Sequence, residues 1–163
     1  MNQITKRPEF VRAIEAFCLA SGDANHSRTA DVRTVARYTG MQCEELAEKM
    51  EALGLHGYAQ DLQGLGRHFK EGHFDDLVQL TLRDPKTAGD LLDADVDLAW
   101  VSLAGSFAAG AHVEAACAEV GTANVSKINP DGTVTRDANG KIVKPPYFIA
   151  PDMSAHIREG VAA

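Results

Sequence analysis

The chain has 163 residues, 45% of them hydrophobic, and a formal net charge of −7. That size and apolar content suit one domain, spanning 1–163, with a packed core, and they exclude a disordered chain. The acidic balance argues against a nucleic-acid partner, though bound metal ions can reverse a local field and admit an anionic substrate.

The first predicted helix covers residues 8–20, where Phe10, Ile14, Phe17 and Cys18 recur at helical spacing. A polar loop, SGDANHSRTAD, leads to a second helix from about Asp31 to Leu53, which ends before Gly54. A third helix is expected over Tyr58 to Lys70, weakened by Gly64 and Gly66, and a short one over Phe74 to Leu82. Pro85 suits the first turn of a long fourth helix reaching Gly110, and a fifth covers Val113 to Ala123. Beyond Lys127, turn signals at Pro130-Asp131-Gly132 and Asn139-Gly140 bracket short β-prone pieces, Thr133 to Arg136 and Lys141 to Val143. The expectation is an all-α bundle of four or five helices (8–127) with a short C-terminal β-hairpin and tail (128–163). Apolar residues on more than one side of the helices point to a homodimer or homotetramer.

Cys18, Cys43 and Cys117 contain no CxxC pair, so they suggest neither a disulfide framework nor a zinc site and read as small buried hydrophobes. The nearly apolar stretch Leu98 to Ala111 is broken by Ser102 and Ser106 and is too short to span a bilayer. The opening MNQITKRPEF lacks the apolar run of a signal peptide, and the expected location is cytoplasmic, with no membrane partner.

Two helix faces carry the chemistry. On the second helix Glu44, Glu45 and Glu48 share a wedge of roughly 100°, opposite a stripe of Val32, Ala36, Cys43, Leu46, Ala47 and Met50. On the fourth, Asp90, Asp93 and Asp97 fall within roughly 60° of one another, while Asp95 lies on another side, as a structural or subunit-contact residue. A solvated polar face is the simpler explanation for the glutamates. The aspartates are harder to explain that way. Asp is a poor helix former, like charges one turn apart repel, and Leu98, Trp100 and Val101 leave little of that helix looking free for solvent. Carboxylates on a largely buried helix need partners, and a hard divalent cation is a suitable one. Trp100 itself reads as core rather than as a base-stacking platform. Arg33, Arg37 and Tyr38 read as surface pairing ahead of a phosphate or base contact, and the six histidines show no ligand spacing.

With these residues in hand, the chain resembles the MazG-like all-α nucleoside triphosphate pyrophosphohydrolases of phages and bacteria. Glu45-x-x-Glu48 matches the first half of that family's acidic pattern. Asp90-x-x-Asp93 matches the second, with Asp for the usual leading Glu, and Asp97 fits a further acidic residue one turn on. Gly105 to Gly110, Glu119-Val120, Asn124-Val125-Ser126-Lys127, Asp131-Gly132, Gly140-Lys141-x-x-Lys144-Pro145 and Pro151-Asp152 continue the likeness over about residues 31–153. The gap between the acidic motifs is longer than usual, from an insertion around 56–80.

The resemblance implies cleavage of a nucleoside triphosphate between its α- and β-phosphates, with a purine deoxynucleotide such as dGTP as the expected substrate. It implies Mg²⁺, with Mn²⁺ as a substitute, held by Glu45, Glu48, Asp90, Asp93 and Asp97. Glu44 and Glu48 take the catalytic role, with Glu44 or Asp97 placed to complete a second metal's shell or accept a proton from water. Lys127, Lys141 and Lys144 are candidate phosphate contacts, and Asn124 either orients the nucleotide or closes its helix. The competing readings are a non-enzymatic helical interaction protein and a phosphoribosyl-ATP-type pyrophosphatase.

Overall fold

The computed structural model describes residues 9–23, 32–72, 84–138 and 141–157. Among them the chain forms five α-helices: α1 (Glu9–Ser21), α2 (Val32–Ala52), α3 (His56–Lys70), α4 (Pro85–Ala108) and α5 (Val113–Val125). A 3₁₀ turn follows at Met153–His156. The all-α class is as expected. The short helix expected over Phe74 to Leu82 and the Asn139-Gly140 turn lie outside the described residues. In the segment where a hairpin was expected, pairing consists of isolated antiparallel bridges, Ile128 with Val134 and Arg136 with Ile142.

The chain divides into two compact units, Thr29–Ala94 and Met1–Arg28 with Asp95–Ala163, and α4 runs from one into the other. In the first unit α2 packs along α3. α2 stops because Gly54 takes a left-handed conformation, φ 74°, and the Leu55 amide donates back to the Met50 carbonyl. The next helix then folds back on α2. The interface is built from small residues: Ala36, Ala47 and Ala59 are fully buried. Gly40 and Gly66 let the two backbones touch. A Cβ on Gly40 would sit 2.7 Å from the Gly66 carbonyl oxygen, and one on Gly66 would sit 2.9 Å from that of Gly40. In the second unit α1 packs on α5, where Gly121 meets Ala13 and Phe10.

α4 begins cleanly. Asp84 Oδ2 accepts from the Thr87 amide (2.9 Å) and hydroxyl (2.7 Å), which caps the helix ahead of Pro85. These two bonds hold the Asp84 carboxyl below its ordinary range. The expectation that little of this helix is free for solvent is overturned: every residue from 92 to 109 is exposed. Trp100, expected in the core, is 73% exposed. On α2 the expected faces are also corrected in part: Leu46, placed on the apolar stripe, is exposed, and Glu44, placed opposite it, faces α3.

The candidate nucleotide and metal site

The acidic residues of α2 do not share one environment. Glu44 leans toward α3, where Lys70 Nζ lies 2.8 Å from both carboxylate oxygens. The pair is about 40% exposed on each side, 39% and 38%, so it is screened and adds little to stability. Glu45 and Glu48 lie on the exposed side of α2. On α4, Asp90 accepts from Lys86 Nζ at 2.6 Å, one turn back along the helix. Asp93, Asp95 and Asp97 are exposed.

Each helix thus presents its carboxylates as neighbours on its own surface. Among the described residues no three His, Cys, Asp or Glu side chains gather as a metal ion needs. The two carboxylate pairs, Glu45 with Glu48 and Asp90 with Asp93, each have the spacing to share an ion.

The basic candidates behave differently. Asn124, near the end of α5, donates through Nδ2 to the Val120 carbonyl (3.1 Å) and accepts through Oδ1 from Lys127 Nζ (2.7 Å). The same ammonium lies over two rings, 5.7 Å from the Phe17 centroid and 5.6 Å from that of Phe148. Lys144 stands 4.9 Å from the Phe148 centroid. Two of the four predicted substrate contacts, Lys127 and Lys144, therefore meet at one aromatic ring, and Asn124 is tied to it through Lys127. Both cations lie within reach of the attraction of the ring's quadrupole. Lys141 is not part of this group; its backbone closes the turn with Asp137, which donates its amide to the Lys141 carbonyl at 2.9 Å.

The preceding turn is well formed. The Asn129 amide donates to the Thr133 carbonyl, Gly132 adopts φ 84°, and Asp131 accepts from the Thr133 amide and hydroxyl. The Thr133 bonds hold the Asp131 carboxyl below its usual value. Arg136 then donates to the Ser21 carbonyl (2.9 Å), satisfying an orphan acceptor at the end of α1.

Sequence reasoning missed the Phe148 ring and a second polar group. Glu119 on α5 accepts from the Asp152 amide and pairs with His156 Nε2. Those bonds, the backbone one foremost, hold the Glu119 carboxyl below its ordinary range. Asp152 in turn accepts from the Ser154 amide and hydroxyl. The histidine was passed over because its partner lies 37 positions away in the chain. The Asp-x-Ser turn was the available signal. An open hollow between α1 and α5, lined by Phe10, Ala13, Gly121 and Val125 among others, includes none of the predicted site residues.

The thiols of Cys43 and Cys117 are pushed up, chiefly by partial burial, which makes them poor nucleophiles. Arg37 lies 5.3 Å from the Tyr38 ring centroid, in line with surface pairing. No described helix is long and apolar enough to cross a membrane. No protein-family model, no curated protein and no solved structure matches the chain.

Proposed function

We propose that the chain is a MazG-like, Mg²⁺-dependent pyrophosphohydrolase that converts a (deoxy)nucleoside triphosphate to its monophosphate and pyrophosphate, with a purine deoxynucleotide such as dGTP as the preferred substrate. The observation that carries the reading is the meeting of Lys127 and Lys144 at the Phe148 ring, with Asn124 bound to Lys127, a cationic group in a chain of net charge −7. Its ammonium groups supply charge-assisted donors to phosphate oxygens. Two i,i+3 carboxylate pairs on separate helices supply the matching hard-ligand sets.

Because no three of these side chains gather among the described residues, the reading includes assembly. A homodimer or homotetramer brings Glu45 and Glu48 of one copy to Asp90 and Asp93 of another. Glu44 takes a secondary part, since Lys70 already neutralises it. The exposed apolar surface of α4 also favours a second reading, a non-enzymatic protein that docks through this helix. Metal dependence separates the two.

The test is product analysis after incubation with each dNTP and NTP, in Mg²⁺ and in EDTA. The expected result is Mg²⁺-dependent monophosphate plus pyrophosphate, fastest with a purine deoxynucleotide. Release of inorganic phosphate and a diphosphate refutes the cleavage site, and no turnover favours the docking protein. In the active case Lys127→Ala and Lys144→Ala each lower kcat/KM about 10- to 100-fold, the loss of one hydrogen bond to a charged group.

A further inference from the structure

α4 carries an ordered apolar seam. Leu92, Val96, Trp100, Leu103 and Phe107 fall within about 80° of the helix surface by the 100° turn per residue. Their exposures are 64%, 58%, 73%, 40% and 61%. The spacing, four, four, three and four residues, is that of a helix-packing stripe rather than of scattered surface residues. Five such side chains at these exposures present roughly 600 Å² per chain, so a self-paired stripe buries about 1,200 Å², the lower edge of a stable interface. Monomers rarely leave an ordered patch of that size to water.

The stripe reads nearly the same in both directions. About a twofold axis between Ala99 and Trp100, Leu92 meets Phe107 of the second copy and Val96 meets its Leu103. A twofold interface requires such self-complementarity. Charge selects the orientation. Asp90, Asp93, Asp95 and Asp97 all precede Leu98, and no Asp, Glu, Lys or Arg occurs from Leu98 to Val113. Parallel pairing would set the two acidic clusters side by side. Antiparallel pairing separates them by about 17 Å along the axis, about twice the Debye length in physiological salt.

We infer that α4 is a homodimerisation helix, pairing antiparallel with α4 of a second copy through Leu92, Val96, Trp100, Leu103 and Phe107. The inference names the face by which the copies proposed above meet; it rests on that assembly, while its test reads mass and geometry rather than turnover.

Light scattering of the full chain after size exclusion is expected to give twice the chain mass. Trp100→Glu and, independently, Val96→Glu are expected to give the single-chain mass with helical circular dichroism retained, because both side chains are exposed in the chain itself. Leu53→Glu, an exposed position on the turn after α2, is expected to remain dimeric. Orientation is read with cysteines introduced in a background where Cys18, Cys43 and Cys117 are serine. Leu92→Cys mixed with Phe107→Cys cross-links between copies, while Leu92→Cys alone does not. A wild-type monomer, or helical Glu variants that stay dimeric, overturns the interface. Self-cross-linking of Leu92→Cys overturns the antiparallel arrangement. Dimerisation without any nucleotide turnover leaves this inference standing and removes the enzymatic reading.

Discussion

The α2–α3 pair and α4 are both helical, yet they solve burial in opposite ways. α2 and α3 meet through Ala36, Gly40, Ala47, Ala59 and Gly66, so close that two backbones touch. α4 has larger apolar side chains and leaves most of them open; Trp100 and Leu92 stay 73% and 64% exposed. Small residues let one chain close on itself, because close approach excludes water without long side chains to order. Large residues left exposed call for a surface from elsewhere.

Glycine substitutions break this comparison most sharply. At Gly66 an added methyl meets backbone at 2.9 Å, and the neighbouring helix must shift. Gly66→Ala is expected to destabilise the α2–α3 unit by about 1–3 kcal/mol despite the gain in helix propensity, read as a lower midpoint in urea. Gly105 on α4 meets nothing within 4 Å. Gly105→Ala is therefore expected to raise stability by about 0.5–1 kcal/mol in the same measurement. Equal signs for the two substitutions would contradict the packing contrast.

A smaller effect belongs to the segment that closes on α5. Glu119 has its carboxyl held below the ordinary value by the Asp152 amide and His156. A folded-state value below the unfolded one stabilises docking above the ordinary carboxylate range and loses that contribution as pH falls through it. Hydrogen-exchange protection of the His112 amide, which donates to the His156 carbonyl at 2.7 Å, should fall below about pH 4.5. In Glu119→Gln that protection should be weak at every pH.

Much of the helical framework was legible in the sequence because its signals are local. Pro85 marks the start of α4, and Gly54 the end of α2. Phe10, Ile14, Phe17 and Cys18 mark α1. The buried side of α2 was legible in part, through Ala36 and Ala47. What covers each face was not, because periodicity is a property of one helix and burial a property of two. That is why Trp100 read as core, and why Glu44 read as part of one acidic wedge although Lys70, 26 positions away, takes both its oxygens. Among the site residues, Asn124 and Lys127 are near neighbours in sequence and their contact was within reach of it. Lys144 joins them only through Phe148, whose ring both cations approach.

The central claim is that the carboxylates of α2 and α4 form one catalytic site only when copies assemble. Complementation between inactive variants tests it most directly. Glu48→Gln and Asp93→Asn are each expected to lose Mg²⁺-dependent pyrophosphate release while remaining folded. Mixing them under conditions that exchange subunits should restore part of the turnover, because some assemblies then join an intact α2 face to an intact α4 face. Two inactive variants that stay inactive in every exchanged mixture would contradict a site shared between copies.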